Sequence, residues 1–156
     1  MKTDPKGATL LATQILLIIA FLICPDAQSF STPDFFKIVL IAITGFGLFL
    51  MLIAAVQLNK NLSPLPSPRS KSELIQTGAY KYIRHPIYSG IAISAFAWSL
   101  KDGNALRLLI SVALLSLLYV KAKYEEKLLS NAFENYPAYQ AKTGMLMPKI
   151  AKRGSD

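Results

Sequence analysis

The sequence predicts an all-α, polytopic membrane protein: about four transmembrane helices, the last two forming a C-terminal helical hairpin, with a polar pocket at one membrane face. Three observations predict it. Of 156 residues, 53% are hydrophobic and only 17% charged, a balance well away from that of a soluble domain. The apolar residues are gathered into long blocks, and the charges fall almost entirely between and after those blocks. The whole chain, 1–156, reads as one integral membrane domain.

The first block, 8–23, and the second, 35–58, are nearly uninterrupted apolar stretches. The second is long enough to cross a hydrocarbon core of roughly 30 Å at about 1.5 Å per residue. The first also reads as a signal peptide, because Lys2 and Lys6 precede it and Ala27-Gln28-Ser29 follows it, a small-residue pattern suited to cleavage. Blocks 86–100 and 105–120 are shorter, each roughly 22 Å of helix. Lys101-Asp102-Gly103-Asn104 joins them, a tight turn by its residue types. Between helices two and three, Leu62 to Pro68 carries three prolines and is expected to be extended. Segments 59–88 and 121–150 therefore remain to build a pocket. Gly45, Gly47, Gly90, Ser94 and Ala97 are small residues inside helices two and three, where they permit close helix packing. The single cysteine, Cys24, has no partner for an internal disulfide.

Seventeen Lys and Arg against nine Asp and Glu give a net charge of +8. Lys2 and Lys6, the loop from Lys60 to Arg84, and the tail from Lys121 to Arg153 share one side of a four-helix topology, whereas only Lys37, Lys101 and Arg107 fall near the other. The positive-inside bias then places both termini in the cytoplasm, with the basic surface toward anionic lipid headgroups. No nucleic-acid partner is expected, because the basic residues flank membrane segments and no groove-reading motif accompanies them. No metal is expected either. A doubly wound nucleotide fold is excluded, since no Gly-rich turn joins a strand to a helix.

The densest chemistry lies in Gly78-Ala-Tyr80-Lys-Tyr82-Ile-Arg84-His85-Pro86-Ile-Tyr88, which holds the only histidine, and in the pair Glu125-Glu126. Pro86 suits the first turn of helix three. The hairpin returns Glu125 and Glu126 to the face that carries His85, and a continuous helix four would set the carboxylates about 10 Å beyond the histidine, with an elongated ligand between them. A helix N-terminus beside Arg84 and His85 favours a carboxylate or phosphate. Glu125 and Glu126 favour an ammonium or ribose hydroxyls, and Tyr80, Tyr82 and Tyr88 offer flat faces for a ring. S-adenosylmethionine carries all of these groups. The bland reading of each residue is an interfacial anchor or a solvated helix face, with Lys121 and Lys123 placed to pair with the two glutamates.

The run at 78–88, followed by Glu125-Glu126, Tyr136, Tyr139 and Pro148, resembles the catalytic half of the isoprenylcysteine carboxyl methyltransferases, whose wider relatives include phospholipid N-methyltransferases. The resemblance implies S-adenosylmethionine as cofactor, bound by Tyr80, Arg84, His85, Pro86, Tyr88, Glu125 and Glu126. It also implies a prenylated or lipid-like acceptor entering from the bilayer. The chain departs from the family in having no arginine between Glu126 and Arg153; the segment from Tyr139 to Pro148, where the family carries one, holds Lys142 instead, and His85 and Lys142 are the candidate catalytic residues. Direct transfer of the sulfonium methyl needs no base for a carboxylate acceptor, and His85 or a glutamate for an amine. The alternatives are a nicotinamide-dependent reductase of sterol-reductase-like architecture and a small non-catalytic membrane subunit.

Overall fold

A computed structural model describes residues 4–59, 63 and 73–149. Five α-helices follow in order: α1 (Pro5–Ile23), α2 (Asp34–Leu58), α3 (Pro86–Asp102), α4 (Ala105–Ala132) and α5 (Tyr136–Lys142), with a 3₁₀ turn at Gly78–Lys81. No β-strand occurs among the described residues, only an isolated parallel bridge between Ile83 and Gly144. The proline-rich run 62–68 lies outside the described residues except for Ser63.

The helix ends follow from local chemistry. Asp4 caps α1 by accepting from the Gly7 amide at 2.9 Å, with Pro5 at the first position. Asn104 caps α4 in the same way, accepting from Arg107 N at 2.9 Å. The turn between α3 and α4 is tighter than the sequence suggested, because Lys101 and Asp102 continue α3 and only Gly103-Asn104 reverse the chain. Gly103 has φ 63°, and a Cβ there would run into the Phe30 carbonyl.

The helices lie side by side in the order α2, α3, α4, α1. α1, α2 and α4 are each long and apolar enough to cross a membrane. α3 has 17 residues, about 25 Å of rise, and is shielded by α2 and α4. Its buried residues are small: Ser89, Gly90, Ala92, Ser94, Ala95, Ala97 and Ser99. Gly47 of α2 packs on Gly90 and Ser94 so closely that a Cβ on either glycine would overlap the other helix, whereas Gly45 faces open space and plays no part in packing. The serines satisfy themselves inside the bundle, Ser94 donating to Thr44 O at 3.1 Å and Ser99 meeting Ser111 at 2.9 Å. Large apolar side chains such as Leu22, Ile38, Phe49, Leu52 and Val56 stand exposed on the outer faces, as a lipid-facing surface requires.

α4 runs to Ala132 rather than ending near 120. At about 42 Å it overruns a bilayer core, so its last turns stand clear of the apolar region and carry Glu125 and Glu126. The chain then turns back, and residues 143–147 lie along 82–85: Arg84 N donates to Gly144 O at 2.9 Å, His85 N to Met145 O at 3.1 Å, and Gly144 N to Tyr82 O at 3.2 Å. This return closes one end of the α3–α4 hairpin.

Candidate functional site

His85 occupies the N-cap position of α3 but makes no capping hydrogen bond, which leaves its imidazole free to face α4. Its Nδ1 lies 3.3 Å from Glu125 Oε2 and its Nε2 3.5 Å from Glu126 Oε1. The expected 10 Å gap between histidine and carboxylates is therefore absent. Helical Cα–Cβ bonds tilt toward the N-terminus, so glutamates one turn beyond the level of His85 reach back to it. Tyr88, one turn into α3, stacks on the His85 ring at 5.5 Å between centroids and donates its hydroxyl to Glu125. The hairpin thus brings His85, Tyr88, Glu125 and Glu126 into one buried cluster.

Arg84 completes the cluster from outside it. Its Nε donates to Glu126 Oε1 at 2.6 Å, and its Nη1 to Gln140 O at 3.1 Å and to the Thr143 carbonyl. Gln140 donates to the second Glu126 oxygen at 2.7 Å. Arg84 is therefore a clasp between the motif, α4 and the C-terminal return, with its charge engaged by the protein itself. Pro86 is fully buried and starts α3. Tyr80 is buried too, but its hydroxyl points to α2, donating to Ala54 O at 3.3 Å, while its carbonyl accepts from Tyr139 at 2.6 Å. It anchors the 3₁₀ turn. Lys142 ends α5 on the exposed side, away from the face that buries Tyr136 and Tyr139, and no contact joins it to the cluster among the described residues. Lys121, expected to pair with the glutamates, is attracted by Glu125 and donates to Gln14 at 2.7 Å, 5.3 Å from the Tyr88 ring centre.

The electrostatics are those of a closed pocket. Burial alone would lower the His85 pKa, but hydrogen bonding and attraction from Glu125 and Glu126 outweigh it, and the net displacement is upward from 6.5. Burial pushes the Tyr139 hydroxyl up to about 12, against a downward pull from Arg84 and with a further push from Glu126. Tyr80 and Tyr136 are raised for the same first reason, so all three phenols remain neutral donors near pH 7. Two buried polar atoms here lack a hydrogen bond among the described residues, His85 Nε2 and Tyr136 Oη.

Sequence reasoning missed Gln140 and Thr143. Neither is charged and neither falls on a periodic stripe, so the only available signal was their position after the Tyr136-Pro137 start of a short helix.

Residues 35–136 match the phospholipid methyltransferase family model, a span that includes the cluster and stops short of Tyr139 and Lys142. A curated relative, methanethiol S-methyltransferase from Pseudomonas sp. (strain GM41(2012)), is 42% identical over 71 residues, covering 45% of this chain and 26% of that protein. The chain thus aligns with about a quarter of the length of that relative. Its helices and its family make it an integral membrane protein. With the Arg-His-Pro-x-Tyr run and the paired glutamates assembled at one end of a membrane hairpin, the chain belongs to the phospholipid methyltransferase family.

Proposed function

We propose that this protein is an S-adenosylmethionine-dependent methyltransferase acting on a membrane-partitioning acceptor, with both termini and the His85 cluster on the cytoplasmic side. The observation that carries the reading is the convergence of two largely buried carboxylates on one imidazole and one phenol where a membrane hairpin meets its C-terminal return. The residues fit such a donor. Glu125 and Glu126 suit an ammonium or ribose hydroxyls, the Tyr88 face suits a ring or a sulfonium, and His85 Nε2 and Tyr136 Oη are donors with no hydrogen bond of their own among the described residues.

When bound, S-adenosylmethionine supplies an electrophilic methyl group on a cationic sulfur. The chain's own contribution is placement and a dry, polarised wall. Glu125 fixes His85 and Tyr88 relative to one another, and Arg84 with Gln140 fixes Glu126. Glu125 and Glu126 raise the His85 pKa and so favour its protonated form, a donor that suits holding a ligand better than accepting a proton. An acceptor that arrives ionised or ionises readily suits such a site. A carboxylate satisfies this directly, and a thiol with pKa near 8.5 supplies some thiolate at pH 7. The name of the methanethiol-methylating relative favours the second, and a small apolar thiol also partitions into the bilayer. Lys142 at the exposed rim is assigned to the acceptor side, where it meets a charged end.

A nicotinamide-dependent reductase needs several cations for its phosphates, and Arg84, the cation nearest the cluster, is engaged by Glu126, Gln140 and Thr143. The test supplies methyl-labelled S-adenosylmethionine and a membrane extract to the purified protein. Label in membrane-partitioning products is expected. Label only in water-soluble products overturns the acceptor class, and donor binding without transfer overturns the enzyme in favour of a binding subunit.

A further inference from the structure

At the end of the bundle opposite His85 lies a feature that methyl transfer does not use. A cavity of about 1060 Å³ opens between α1 and α2, with α3 and α4 as its floor. Phe21, Ile41, Leu48, Met51, Ile91 and Leu114 make its depth apolar. Its polar lining gathers at one end, where Asp26, Lys37, Lys101, Asp102 and Arg107 meet. Arg107 and Glu126 stand nineteen residues apart on α4, about 28 Å, so this end belongs to the membrane face away from the methyl-transfer cluster.

Arg107 is the centre of that polar end. Its side chain is 8% exposed and reaches Asp26 at 2.9 Å, Asp102, and the Cys24 carbonyl at 2.9 Å. Its Nε is buried with no hydrogen-bond partner among the described residues, a costly state for a charged donor. Three cations and two carboxylates line the mouth, and Asp34 pairs with Lys37 at 2.9 Å beside it, so both signs are present in balance. Asp26 has a side chain 89% exposed and keeps an acidic face toward the aqueous boundary. A mouth of mixed sign over an apolar chamber matches an amphiphile whose headgroup itself carries both signs.

We propose that this cavity holds one zwitterionic phospholipid as a resident ligand. An acyl chain lies between α1 and α2, the phosphate lies beside Lys37, Lys101 and the Arg107 guanidinium, and the ammonium faces Asp26. The headgroup lies far from Glu125 and Glu126, so this lipid is not the methyl acceptor; it fills the space between two helices that rest on the α3–α4 pair from opposite sides.

Native mass spectrometry of the detergent-purified protein tests this, with dipalmitoylphosphatidylcholine and dipalmitoylphosphatidylglycerol as probes. One phosphatidylcholine per chain is expected, held in preference to phosphatidylglycerol. Arg107→Lys, which keeps the charge and removes the planar fork that orders Asp26 and Asp102 at the mouth, and Leu48→Trp, which fills the chamber from a half-exposed position, should each lower the bound fraction at least fivefold. S-adenosylmethionine affinity should be unchanged in Leu48→Trp, which separates this proposal from that of the methyl-donor site. Equal occupancy in wild type and Leu48→Trp, no preference between the two lipids, or a dimer carrying no lipid would each overturn it.

Discussion

At the scale of single residues, the cluster rests on charges that hold one another in place. Arg84→Lys keeps the charge but loses the planar fork that bridges Glu126 to Gln140 and Thr143. A loss of about 1.5–3 kcal/mol is expected for a charge-assisted hydrogen bond, read as a lower midpoint in thermal unfolding. His85 gives the pH dependence. Its folded pKa is raised above 6.5, so the stability it contributes is fully present below pH 6.5 and is lost as pH rises through the folded value. Unfolding midpoints measured from pH 5 to 9 should fall on the alkaline side in wild type, and this component should vanish in His85→Ala. Tyr136 separates structure from ligand. Its hydroxyl is buried without a hydrogen bond, so Tyr136→Phe should leave the unfolding midpoint unchanged or higher while weakening S-adenosylmethionine binding several-fold; a drop in stability with unchanged binding would contradict the ligand role.

The elements divide by what their local chemistry specifies. Pro86 and the Gly103-Asn104 turn mark helix ends by rules that act within a few residues and were legible from sequence, whereas α1 starts at Pro5 rather than at 8 and α3 runs two residues further than expected. Partner-dependent features were not legible. Gly45 and Gly47 look alike in the chain, yet only Gly47 meets Gly90 and Ser94, because facing depends on how α2 rotates against α3. Gly47→Ala should therefore destabilise by about 1–3 kcal/mol through overlap with α3, whereas Gly45→Ala should be neutral or stabilise slightly through helix propensity. The motif residues of the site were equally legible, but their contact was not. The length of α4 predicted separation, which the two added residues of α3 and the backward lean of Glu125 and Glu126 together close. Segment 121–150 was expected in the pocket, but its pairing with 82–85 was not legible, because those ties are mostly backbone hydrogen bonds, which carry no residue signature.

Across the whole molecule, the proposed topology, argued from charge bias and helix order, has the pocket and both termini on one membrane face. Single-cysteine variants Ser67→Cys and Ser155→Cys, made on a Cys24→Ala background, should be labelled from the same side of oriented vesicles; labelling from opposite sides contradicts the topology. The central claim is that the cluster where α3 begins and α4 emerges holds the methyl donor. Calorimetric titration of S-adenosylmethionine into the purified protein, compared with Glu125→Gln, tests it most directly. The account predicts measurable binding to wild type and roughly 10- to 100-fold weaker binding to the variant, the equivalent of one charge-assisted hydrogen bond. Equal affinity in the two proteins, or no binding to wild type, would contradict it.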